Sequence, residues 1–120
     1  MKYLAMTAAA LMSVSVFAHH GWSWAEEDQT ELKGTIESIS MAPPHPSLKV
    51  KAADGVWQID LGNPNQTERS GFKGESAKAG DPITVIGNRS LDKTKLHMKA
   101  VRITVGDQQF DMYPERIKKN

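Results

Sequence analysis

The sequence predicts an all-β domain of small helix content: an OB-like barrel of five to six strands, with one short helix between strands three and four. Three observations predict it. Apolar residues alternate with polar ones in short runs instead of recurring at helical spacing. Gly, Pro, Asn and Asp punctuate those runs. The first run slips phase midway, as a strand bent around a barrel must. A sandwich and an SH3-like barrel are the alternatives, and nothing in the pattern points to a parallel sheet.

The barrel is expected over residues 31–113, preceded by an arm over 19–30 and followed by a short cationic tail over 114–120. Leu32, Gly34 and Ile36 alternate with polar residues, and the phase shift at Ile39 and Met41 implies a bulge. Pro43, Pro44 and Pro46 end that strand, because proline has no N–H for the ladder. Asp54-Gly55 reads as a two-residue hairpin turn. It sets Ala52 opposite Trp57, Val50 opposite Ile59 and Leu48 opposite Leu61, with Lys49 facing Asp60 on the polar side. Asn63-Pro64 is a cap followed by a first helical residue, for a helix over 64–70 stopped by Gly71. Gly80-Asp81-Pro82 launches a strand through Ile83, Val85 and Gly87. Leu96 and Met98, then Val101, Ile103 and Val105 in shifted phase, form the next strand with a second bulge. Gly106-Asp107 turns into a last strand over 108–113.

Before all of this, Lys2 precedes an apolar run over 4–17 that ends at Val16-Phe17-Ala18. That is the three-part pattern of a signal peptide over residues 1–18. The run is short of the roughly 20 apolar residues of a membrane span, so no span is expected after cleavage. With 120 residues and no cysteine, a disulfide scaffold, a Cys-based zinc site and a cysteine nucleophile are excluded. Loss of Lys2 brings the 15 basic residues level with the 14 acidic ones, leaving the mature domain formally neutral. A neutral domain has no clustered positive charge with which to hold nucleic acid. Export points to the periplasm.

Cleavage after Ala18 makes His19 the amino terminus, with His20 next to it. The α-amine and imidazole of His19 can chelate one ion, and His20 adds a second imidazole. Such nitrogen-rich ligation favours Cu(II). Ligands must shed protons to bind, so affinity should fall in acid. A rigid proline-flanked loop presents His45 as a further ligand. His97 lies on the polar face of its strand between Lys95 and Lys99, where solvation is the better expectation; with the thioether of Met41 it is an accessory candidate. Trp22 and Trp24, at alternate positions, suit stapling of the arm or a platform for a sugar or aromatic ligand. No catalytic constellation, phosphate loop or dinucleotide fingerprint is recognisable.

Together these motifs resemble a family of short exported Gram-negative bacterial proteins grouped as a domain of unknown function. The resemblance runs through Ala18-His19-His20 with Trp22, Leu32-Gly34-Ile36, Pro44-His45, Asp54-Gly55, Trp57, Leu61-Gly62 with Pro64-Asn65, Arg69-Gly71-Phe72, Gly80-Asp81, and Val85 with Gly87. The family commonly has Asn-Pro-His where this chain has Pro43-Pro44-His45. The resemblance implies an OB-like periplasmic domain and groups His19, His20 and His45 as recurring features; it implies no activity. The leading expectation is a periplasmic copper-binding protein for metal tolerance or delivery, with the metal ion and another periplasmic protein as partners. The alternatives are a metal-free OB-type module for an oligosaccharide, peptide or partner protein, and a copper-dependent oxidase or oxygenase.

Overall fold

The computed structural model describes residues 21–117. The expected signal segment and the His19-His20 pair lie outside the described residues. Six strands follow one another as β1 (Thr30–Ser40), β2 (Ser47–Ala52), β3 (Gly55–Asp60), β4 (Pro82–Arg89), β5 (His97–Val105) and β6 (Gln108–Asp111). Among the described residues one α-helix, α1 (Pro64–Arg69), lies between β3 and β4. The sheet order is β3-β2-β1-β4-β5-β6, and an additional β3–β5 pairing closes the first five strands into a barrel with β6 as an extra strand. Among the described residues no helix is long and apolar enough to cross a membrane.

Both expected bulges are present. Register shifts between Ile36 and Ser38 in β1, which pairs with β2 on one side and β4 on the other. A second shift falls where Ile86 pairs Arg102 but Gly87 pairs Ala100, leaving Val101 as the extra residue of β5. Both Ala100 and Val101 are therefore buried in succession, which explains the phase change.

The hairpin differs from expectation by one rung. Ala52 pairs Gly55, Val50 pairs Trp57, Leu48 pairs Ile59 and Lys49 pairs Gln58. The turn is thus Ala53-Asp54, and only Gly55 takes the left-handed conformation, at φ 135°. The Trp57 indole donates to Asp54 Oδ1 at 2.8 Å, holding the aspartate as a turn residue. A slip of two residues conserves the faces, so the apolar set was right while its partners were not. Asp60 faces Ser47 and is free of the expected Lys49 pair.

The interior is filled from the five barrel strands by Ile36, Leu48, Val50, Trp57, Ile59, Val85, Met98 and Ile103. Phe72, just after α1, meets Phe110 edge-on at a centroid distance of 5.2 Å and caps that core. α1 is only six residues long and depends on its ends. Asn63 Oδ1 accepts from the Gln66 N–H at 2.8 Å, while Gln66 Oε1 accepts from the Asn63 N–H at 3.2 Å. Asn63→Ala should cost about 1 kcal/mol in a denaturant titration, the usual loss for a cap.

One parallel pair, unforeseen in the sequence pattern, closes the barrel: Gln58 with His97, Ile59 with Met98 and Asp60 with Lys99. Ile59 and Met98 point inward and are fully buried. Gln58, Asp60, His97 and Lys99 occupy the outer face of the same seam.

Candidate functional site

The outer face of the β3–β5 seam is covered by the arm and by the proline loop. Residues 21–29 run along the end of β4: Ala25 bridges Ser90, the Glu26 N–H donates to the Arg89 carbonyl and the Leu91 N–H to the Trp24 carbonyl. Asn88 Nδ2 donates to the carbonyls of Glu26 and Glu27 at 2.9 and 3.2 Å, and Lys93 pairs with the Glu26 carboxylate. The arm is clipped down by backbone and side chains together.

Its two tryptophans descend on the seam in register with β5. Trp24 stacks on the His97 imidazole at 4.1 Å with 12° between the planes. Trp22 meets Tyr113 edge-on at 4.9 Å, with Lys99 Nζ 5.0 Å and the Arg116 guanidinium 3.8 Å from its ring centroid. Both therefore staple the arm. Arg116 belongs to a 3-10 turn over Pro114–Arg116, so the cationic tail begins packed against Trp22 and not loose in solvent.

Beneath Trp24, His97 Nε2 lies 2.8 Å from Asp60 Oδ2. A carboxylate only accepts, so His97 donates here. Gln58 Nε2 donates to the other oxygen, Oδ1, at 3.1 Å. His45 Nε2 stands 4.0 Å from the same Oδ2, and its Nδ1 is 3.3 Å from the Pro46 carbonyl oxygen. Because that carbonyl also only accepts, the proton of a neutral His45 ring is held on Nδ1. Nε2 then presents a bare lone pair toward a carboxylate oxygen.

The expectation that His97 is merely solvated is corrected: it is half-buried, hydrogen-bonded and stacked. The reason is the parallel closure, which sets β5 beside Asp60. Asp60, buried and absent from the sequence-derived candidates, joins the two histidines. The signal for it was a pair of matched patterns, Gln58/Asp60 and His97/Lys99, each polar at alternate positions of an otherwise apolar strand. Met41 is elsewhere, exposed along a groove with Pro64, Phe72 and Gly74. Among the described residues no three His, Asp or Glu side chains form a complete metal-holding group. His97 and Asp60 are already bonded to each other, and His45 stops short.

Adjoining His45 is a cleft of about 370 Å³ walled by Gly21, Trp22, Leu61, Gln66, Lys99 and Tyr113 among others. Burial lowers the Lys99 ammonium below the ordinary lysine range, the nearby Asp60 charge works against that shift, and Arg116 adds to it. Burial likewise raises the Tyr113 phenol, with Arg116 opposing.

No curated protein matches the chain. A family model matches residues 8–98, a span that contains the arm, His45, Asp60 and His97. The chain belongs to that family, a family of unknown function (DUF6152).

Proposed function

We propose that the protein is exported to the periplasm, loses residues 1–18, and binds Cu(II) there for metal tolerance or delivery. His19, through its amine and imidazole, and His20 join His45, Asp60 and His97 in the site. The observation that carries this reading is His45 Nε2 facing Asp60 Oδ2 at 4.0 Å, which in the neutral ring sets a lone pair against a carboxylate. Two acceptors facing each other repel unless a cation or a proton lies between them. Bonds of about 2 Å to a metal need only a modest inward movement of His45. For His97 Nε2 to ligate, its proton would pass to solvent while Nδ1 takes one up, leaving a neutral ring with its lone pair on Nε2.

Covalent geometry supports the participation of the terminus. Gly21 lines the cleft beside His45, and each preceding Cα is about 3.8 Å further along the chain. His20 and His19 directly precede Gly21 in the sequence, and that adjacency supports including them. The nitrogen-rich set with one carboxylate suits Cu(II), the strongest binder of the divalent series.

The test begins with the full chain expressed in a Gram-negative host and purified from the periplasmic fraction. Mass spectrometry should find His19 as the first residue. Cu(II) should quench tryptophan fluorescence with a break at one equivalent, since Trp24 lies on His97. His45→Ala and His97→Ala should each weaken binding at least roughly tenfold, and an extra glycine before His19 should weaken it more. Cu(II) binding that is unchanged in all three variants, or that never becomes stoichiometric, overturns the reading.

A further inference from the structure

The cleft beside His45 is rich in N–H donors and lacks an acidic lining. The capping box consumes the side-chain oxygens of Asn63 and Gln66, both on the cleft wall, and among the described residues neither NH2 group has a hydrogen-bond partner. The side chains supply these donors; the short helix's backbone contributes nothing to the argument. Opposite them stands Lys99, half-buried, with no carboxylate within 4.0 Å of its ammonium among the described residues. The Asp60 charge reaches it only from beyond that distance, and the rings of Trp22 and Tyr113 stand at 5.0 and 5.6 Å. Arg116 on the Trp22 ring adds a second cation to the neighbourhood. Burying a lysine ammonium without an anion in direct contact is costly, and an entering anion would offset that cost.

Shape narrows the ligand. A cleft of about 370 Å³ is much larger than an inorganic anion, and Trp22, Leu61 and Tyr113 give it apolar walls. We propose that this cleft binds a small organic carboxylate, its anionic end on Lys99 Nζ with the Asn63 and Gln66 amides as further donors, and its apolar body against Trp22, Leu61 and Tyr113. The cleft shares His45 with the proposed copper site, so the carboxylate is tested with the metal withheld, and Lys99, Gln66 and Tyr113 are the residues that belong to it alone.

Benzoate and its neutral isostere benzamide are the probes, titrated into the purified chain in EDTA and followed by 1H–15N NMR. Benzoate should bind with a Kd of about 1–10 mM, reasonable for so few atoms. It should move the signals of Gly21, Leu61 and the Trp22 indole, and leave the Trp57 indole in place. Benzamide should bind about tenfold more weakly, the difference a charge-assisted hydrogen bond makes. Lys99→Gln should lose the preference for benzoate, and Lys99→Arg should keep it. Equal binding of benzoate and benzamide overturns the proposal in the wild-type chain alone, whatever the variants do. So does benzoate binding whose shifts map away from the cleft, or no binding at ten times the expected Kd. Failure here with intact copper binding removes the cleft ligand and leaves the metal site standing.

Discussion

Gly87→Ala should destabilise the barrel by about 3 kcal/mol, an overpacking cost at the upper end of the usual range. A β-carbon at Gly87 would stand 2.3 Å from the Lys99 carbonyl oxygen and 3.0 Å from Met98 Cγ. The obstruction is backbone, and it lies at the β5 bulge. No side chain can rotate away to relieve it. With a net stability of about 5–15 kcal/mol for a domain of this kind, a melting temperature lower by more than 10 °C is expected. Gly74→Ala is the matched control: its β-carbon would meet Met41 Cγ at 3.5 Å, an ordinary contact. Thermal unfolding should place that variant within about 0.5 kcal/mol of wild type. Equal melting temperatures for the two would refute the close approach at Gly87.

Asp60→Asn should separate metal binding from folding. The amide has nearly the carboxylate's shape but no charge, so copper affinity should fall by roughly a hundredfold or more if Asp60 is a direct ligand. Stability should change by only about 1–2 kcal/mol, because one amide orientation still accepts from His97 through oxygen. Asp60→Ala should cost more, leaving His97 and Gln58 without their shared acceptor. Isothermal titration with Cu(II), alongside urea unfolding of each variant, reads both effects. Unaltered copper affinity in Asp60→Asn would remove Asp60 from the ligand set.

Most of the fold was legible because it rests on local chemistry. The alternation in β1 to β5, the Asn63-Pro64 cap and the two phase slips each report a neighbour-to-neighbour constraint. The hairpin was harder: Asp54-Gly55 resembles a two-residue turn, yet the Trp57 indole holds Asp54 and passes the left-handed position to Gly55 alone. The slip conserved every face and changed every partner, an error that periodicity cannot detect. The site suffered more from this than the core did. The sequence pattern pairs Asp60 with Lys49 and leaves His97 to solvent, because their meeting depends on the parallel β3–β5 pair. Parallel pairing across the closing seam joins segments remote in sequence and leaves no turn or spacing as a trace. His45 was legible because its constraint is local: prolines on both sides make the loop stiff whatever it packs against.

The β3–β5 closure also gives the site a place in the folding history of the chain. Gln58 and His97 are brought together across a long stretch of chain, and such non-local contacts generally form after hairpins and helices. A chain with the β2–β3 hairpin made but the seam open has the same donor atoms, yet Asp60 and His97 are apart. An ion held by all of them would bind only the finished barrel, so it would slow unfolding by acting on the last contact made and the first to be lost. An exported chain would therefore take up its metal after folding, and the loaded form would certify that the barrel had closed.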